Sequence, residues 1–287
     1  MVASLLWGTT GTAATFMPST VSPVAIGAVT MCVGGVLLFV VGARGAVRAL
    51  RDPTSRRWLF TGALGVFVYP LAFYSAMHLA GVAIGNVVAL GSGPIFAAAL
   101  EWGIEHRRPS HRWMVCTLVA IVGIGALAAY GHARTGTPVV ALLPGVFLGL
   151  LAGLAYALYT YSSSRAMEVG HGGRSVMGAM FGMGAALLAP VLVLTGAPLL
   201  QSSRSLAVAS YLVVAPMFVA YLLFAIGLRS LSSSSATTIT LFEPVVATLL
   251  AVTVVGEGLT IVGWIGLALI LAGVASMASA RLPGKTA

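Results

Sequence analysis

The sequence predicts an all-α integral membrane protein in which ten transmembrane helices form a 5+5 inverted repeat. Three observations carry that expectation. Hydrophobic residues make up 59% of the 287 and charged residues 7%, against about 25% charged in an ordinary soluble domain. A spanning helix needs about 20 mostly apolar residues, and dividing the chain at its charged and turn-rich segments yields ten such stretches. The stretch from Val82 to Leu127 recurs about 150 residues later, from Ser232 to Met277: Pro94 stands for Pro244, Leu100 for Leu250 and Gly123 for Gly273, and Trp113 falls within one position of Trp264. The halves divide at the polar segment His132 to Pro138, residues 1–134 and 135–287. Each half holds five spans, an odd number, so the second enters the bilayer from the opposite face and the repeat is inverted, an arrangement common among secondary transporters.

The spans fall near 2–19, 23–43, 58–78, 80–103, 113–131, 140–163, 175–196, 206–228, 232–255 and 260–280. Span one carries Leu6-Trp7-Gly8-Thr9-Thr10-Gly11, where small and hydroxyl residues permit close helix approach. Trp7 is either an interfacial anchor or a cavity wall. Span two holds little polarity beyond Thr30 and is expected to face lipid. Span three places Phe67, Pro70, Tyr74 and His78 at spacings of three or four, one helical face. That stripe serves packing or a cavity, and Pro70 favours a kink. Span four runs from Asn86 to Gly91-Ser92-Gly93-Pro94, which predicts a locally irregular helix beside an internal space. Glu101 and Glu105 at its end are expected to pair with Arg107 and Arg108. Span five, with Gly123 and Gly125, reads as a packing helix.

In the second half, span six supplies Tyr156, Tyr159, Thr160 and Ser163 on or near one face. Span seven is Gly-rich and packs closely; span eight places Phe218 and Tyr221 beside Pro216. Span nine opens with Ser233, Thr237 and Thr240 along one side, leading to Glu243. Such a hydroxyl run borders water or a partner helix. Span ten is apolar with spaced glycines. Cys32 and Cys116 sit alone in apolar spans and read as small core residues. Met1-Val2-Ala3-Ser4 lacks a basic n-region, so span one is expected to be a retained helix.

The net charge of +9 is topological. Assigning alternate connections to opposite faces puts thirteen basic residues, Arg44 to Lys285, on one face and only Arg134 and Arg204 on the other. By the positive-inside rule both termini are cytoplasmic, and a nucleic-acid reading fails.

Glu243 is the sharpest chemical signal. It lies about eleven residues into a span, where a charged acid costs roughly 2.5 to 3.5 kcal/mol on insertion scales. It serves as a proton or amine site, as a hydrogen-bond anchor for a helix broken at Pro244, or as a group reaching water. The repeat offset maps Glu243 onto Gly93 and Ala236 onto Asn86, so Asn86 and Glu243 are expected to point at one pseudo-symmetric centre. Enzyme classes find no support: there is no His-Glu-x-x-His, the sole Asp is Asp52, the sole Lys is Lys285, and no Walker loop appears. No metal or other cofactor is expected.

Leu6-Trp7-Gly8, Glu243-Pro244-Val245, Gly256-Glu257-Gly258-Leu259-Thr260, then Trp264, Gly266 and Gly273 together resemble the EamA-type module of the drug/metabolite transporter (DMT) superfamily. The resemblance covers nearly the whole chain as two modules. The first departs at Glu105-His106-Arg107-Arg108-Pro109-Ser110, with two extra residues. The resemblance implies ten helices around a central cavity lined by both halves and export of amino acids or related metabolites. Within the family the chain looks most like the YddG-type aromatic amino-acid exporter branch. Glu257 belongs to a connecting turn in the family pattern and is read as structural.

The resulting expectation is a bacterial inner-membrane carrier exporting aromatic and other neutral amino acids by alternating access. Trp7, Tyr74, His78, Tyr156, Tyr159 and Tyr221 would form the cavity surface, and Asn86, Ser92 and Glu243 would meet the zwitterion. Proton coupling through Glu243 is open, as is a cationic-drug cargo. A facilitative channel is disfavoured by scattered polar residues and twofold repetition. A phosphorylated sugar fits poorly, because no Arg or Lys lies within a span.

Overall fold

The computed structural model describes residues 1–80, 82–133, 139–256 and 260–278. Among them the chain is helical, and eight helices are long and apolar enough to cross a membrane. In chain order the helices are α1 (Val2–Thr15), α2 (Pro23–Arg51), α3 (Pro53–Ala80), α4 (Val82–Glu105), α5 (His111–Ala133), α6 (Val139–Glu168), α7 (Gly173–Thr195), α8 (Ser203–Leu212), α9 (Ala220–Leu228), α10 (Ser233–Thr240), α11 (Glu243–Leu250) and α12 (Ile261–Ala278). Alpha helices α8 and α9 run through a π-helical turn, Val213–Val219, as one 26-residue span, Ser203–Leu228. With 14 residues, α1 covers about 21 Å, short of the roughly 30 Å hydrocarbon core. It stops at Thr15, well before the expected residue 19, because the chain turns through Pro18 to the cap of α2.

Local chemistry places the ends. Ser22, Ser202 and Ser232 each precede a helix and accept a hydrogen bond from the backbone N–H three residues on. Between α2 and α3 a single residue, Asp52, turns the chain and accepts from the N–H and hydroxyl of Thr54. His106 takes positive φ where α4 ends, and Gly170 does so after α6. The segment Glu257 to Leu259, read as a family turn, lies outside the described residues, as do Arg134, Arg281 and Lys285.

Packing departs from the expectation in three places. First, α2 does not simply face lipid. Its small residues seat it against α7, where a Cβ on Gly35 would fall 2.5 Å from the Phe181 carbonyl oxygen and one on Gly42 2.5 Å from that of Arg174. Second, α4 runs unbroken through Gly91-Ser92-Gly93-Pro94. There the small residues admit α6: a Cβ on Gly93 would meet the Tyr156 ring at 2.9 Å. Third, the irregular backbone lies in the second half, at the π turn around Pro216 and at Leu241-Phe242, where two tight i to i−3 bonds separate α10 from α11. Pro244 has no N–H for the Thr240 carbonyl, which explains a break there.

The pair α5 and α12 meets in a reciprocal contact. A Cβ on Gly123 would lie 2.6 Å from the Gly266 carbonyl oxygen and 2.9 Å from Ile270; one on Gly273 would lie 2.6 Å from the Cys116 carbonyl oxygen and 3.0 Å from the Ala120 nitrogen. Residues 116 and 120 are the positions that the repeat offset assigns to 266 and 270.

One end of the bundle is tied together by polar contacts between connections. Arg165, closing α6, lies 3.6 Å from Glu105, closing α4; His171 bonds Asp52 at 2.7 Å; Arg112 donates to the Ser276 carbonyl at 2.6 Å. Glu105 pairs with Arg107 as expected, at 3.3 Å. Glu101 does not join that cluster. Its carboxylate turns to the start of α10 and accepts from Ser234 N–H at 2.9 Å and Ser234 Oγ at 2.6 Å. Free N–H groups at a helix start attract a carboxylate held nearby in the low dielectric more than a solvated guanidinium does.

Candidate substrate cavity

The middle of the bundle holds a cavity of about 90 Å³, several times the roughly 10–15 Å³ needed for one water. Its walls include Trp7 and Thr10 from α1, Thr30 and Met31 from α2, Tyr69, Pro70, Phe73 and Tyr74 from α3, Tyr156 and Tyr159 from α6, Tyr221 from α9 and Glu243 from α11. Gly8 explains how α1 reaches this centre. A Cβ there would lie 2.5 Å from Val246 and 3.0 Å from the Glu243 carbonyl oxygen, so only glycine lets α1 touch the start of α11. The Trp-Gly pair of the first span thus carries a ring and the close approach that positions it.

The rings form a continuous belt. Tyr69 stacks on Phe73 with centroids 5.3 Å apart and meets Tyr156 at 6.0 Å; Tyr156 meets Tyr159 at 5.3 Å; Trp7 meets Tyr221 edge-on at 5.1 Å. Hydroxyls pair within it, Tyr159 with Tyr221 at 3.0 Å and Tyr156 with Thr240 at 2.6 Å. These bonds satisfy groups whose burial would otherwise be costly.

Glu243 opens α11 and lies at the cavity wall. Among the described residues no side chain donates to its carboxylate and no cation pairs with it, so its acceptor capacity is left for whatever enters. Among the described residues no Arg, Lys or His lines the cavity, and no group of His, Cys, Asp and Glu is arranged to hold a metal.

Of the nine residues proposed from sequence, six meet at this cavity: Trp7, Tyr74, Tyr156, Tyr159, Tyr221 and Glu243. Three do not line it. His78 is exposed near the end of α3. Ser92 is buried at the α4–α6 contact and bonds the Ala89 carbonyl at 3.3 Å. Asn86 stays off the wall, with a buried Oδ1 that has no partner among the described residues. The cavity wall on α4 is Leu90, four residues on. Sequence reasoning missed Tyr69 and Phe73. On a helix, 69, 70, 73 and 74 share an arc that overlaps the proposed 67-70-74-78 stripe only at Pro70 and Tyr74, with the true face rotated by roughly 75°. The available signal was the Tyr69/Phe73 pair, four residues apart.

Comparison with known proteins agrees with this architecture. The EamA-like transporter family matches residues 1–129 and 143–279. The chain is 32% identical over 291 residues to the uncharacterized transporter YwfM of Bacillus subtilis (strain 168), spanning 100% of this chain and 95% of that protein. It is 24% identical over 282 residues to the uncharacterized inner membrane transporter YicL of Salmonella typhimurium (strain LT2), spanning 96% and 92%. A solved crystal structure superposes with a TM-score of 0.78 at 24% identity, over 96% of this chain and 93% of that one, which shows the shared fold. With the family matched along most of its length and a relative 32% identical from end to end, the chain belongs to the EamA-like transporter family and is a multi-pass membrane transporter.

Proposed function

We propose that the protein exports aromatic and other neutral amino acids from the cytoplasm by alternating access, as in the YddG-type branch of its superfamily. The carrying observation is a lone carboxylate, Glu243, facing a ring-lined cavity that no basic side chain among the described residues lines. Rings accept a hydrophobic or aromatic side chain by stacking, and an unpaired carboxylate attracts its ammonium. Thr10, also at the wall, provides a hydroxyl for the substrate carboxylate, whereas the Thr30 hydroxyl donates to the Ile26 and Gly27 carbonyls. Asn86, Ser92 and His78 take no part in this pose.

In this reading α1 to α5 and α6 to α12 are two five-span halves in inverted orientation, residues 1–134 and 135–287. The reciprocal Gly123 and Gly273 contacts support it, since contacts that exchange under the repeat offset are what a pseudo-twofold axis produces. The basic end of the bundle faces the cytoplasm with both termini, in the inner membrane of a bacterium, the location in the name of the YicL relative.

The test is counterflow of labelled phenylalanine, tryptophan and threonine in proteoliposomes, with and without a pH gradient. Unlabelled amino acid inside should accelerate entry of label, and Glu243→Gln should abolish the acceleration. A second reading, export of organic cations, is favoured by the same carboxylate among rings, which also suits cation–π contact. Movement of a cationic dye with no exchange of any amino acid would select it.

A further inference from the structure

A second cavity, of about 280 Å³, lies between the start of α1, the end of α9 and one face of α10. Its wall includes Ser4, whose side-chain oxygen is fully buried and has no hydrogen-bond partner among the described residues. Contacting side chains from the two walls part it from the ring-lined cavity. Phe224 lines the second cavity and packs on Trp7 of the first at 5.3 Å; Thr240 lines the second and holds Tyr156 of the first through a 2.6 Å bond.

The element at this partition is α10, and it is built as a separable piece. All eight of its residues are buried. The Leu241-Phe242 break and Pro244 uncouple it from α11. Its fixings are side-chain bonds to three other helices: Tyr156 of α6 holds Thr240, Thr117 of α5 holds Thr238 at 3.0 Å, and Glu101 of α4 grips Ser234 through both carboxylate oxygens. The repeat offset pairs Glu101 with Ala251 and Ser234 with Ile84, so this grip has no counterpart across the pseudo-axis.

We propose that the second cavity is the opposite mouth of the transport path, that α10 is the gate between the two cavities, and that Glu101 is the positioning residue that latches the gate shut. Parting Thr240 from Tyr156 and Phe224 from Trp7 merges the two cavities into one path. The Glu101 grip at the far end of α10 opposes that motion. The inference rests on the transporter reading of the ring-lined cavity but on no particular cargo.

The experiment reads access, not flux. With Cys32 and Cys116 replaced by Ala and Thr10→Cys as reporter in the ring-lined cavity, a charged, membrane-impermeant thiol reagent is applied to vesicles of each orientation. With Glu101 intact, labelling from the face of the α4–α5 connection is slow. Glu101→Ala raises that rate at least about tenfold, as expected for losing a charge-assisted pair of hydrogen bonds. Ser234→Ala raises it less, because the backbone N–H still holds the carboxylate. An unchanged rate in Glu101→Ala that elutes as a single folded species overturns the proposal, as does equally fast labelling from both faces with Glu101 intact. If Glu101→Ala does not fold, Glu101→Gln and Ser234→Ala decide by the same criterion. Exchange is measured separately in protein that keeps Thr10: shifted labelling without such amino-acid exchange keeps the gate and removes the cargo reading, and exchange with unshifted labelling does the reverse.

Discussion

At the scale of single residues, Glu243 separates a functional carboxylate from a structural one. A structural anchor would donate order to the broken helix, and its loss would lower the melting temperature. Since no side chain among the described residues bonds the carboxylate, Glu243→Gln should leave the melting temperature equal or higher, while saturable exchange falls at least about tenfold. A paired thermal scan and counterflow assay checks both. Asp52, in the turn between α2 and α3, behaves differently. Hydrogen bonds from the Thr54 hydroxyl and backbone, then that from His171, hold its carboxyl down at about 2 from the usual 3.8. A depressed carboxyl contributes stability that is fully present above its unfolded pKa and lost as pH falls through its folded one. The melting temperature of Asp52→Asn should therefore lie below that of the wild type at neutral pH, and the gap should close between about pH 4 and pH 2.

At the scale of elements, glycines with identical helix propensity have opposite roles. A Cβ on Gly123 of α5 would lie 2.6 Å from a carbonyl oxygen, whereas one on Gly125, two residues on, would have nothing within 4 Å. Backbone cannot step aside as a flexible side chain does. Gly123→Ala should thus destabilise by about 1 to 3 kcal/mol through overpacking. Gly125→Ala should be neutral or stabilising by up to ~1 kcal/mol through helix propensity. Thermal unfolding in one detergent ranks the pair. The broken helices follow the same logic of local chemistry. Pro216 sits in a π-helical turn and Pro244 just after the Leu241-Phe242 break, whereas Pro94 is absorbed by a continuous helix packed on α6.

At the scale of the whole molecule, the reciprocal contact makes a symmetric prediction. If a pseudo-twofold axis relates the halves, Gly123→Ala and Gly273→Ala remove equivalent approaches and should shift the melting temperature by similar amounts. Orientation is tested separately, by reporters fused at each end. Both should report the cytoplasmic face, and a split result would remove the ten-span, inverted arrangement.

Composition, span lengths and the distribution of Arg residues were sufficient, without coordinates, to establish a membrane protein of many helices. Those properties are sums along the chain, and the bilayer tests each segment by its own length and polarity. The family was legible for a related reason: Trp7-Gly8 and Glu243-Pro244 are local patterns. Which faces meet was decided only by packing. Residues 67, 70, 74 and 78 make as good a stripe in sequence as 69, 70, 73 and 74, and a rotation of α3 by less than a quarter turn chooses between them. Likewise Glu101 lies six residues before Arg107 in sequence yet bonds Ser234, 133 residues away, because helix ends distant along the chain converge at one face of the bundle. Periodicity says that a face exists; the neighbouring helices determine what it touches.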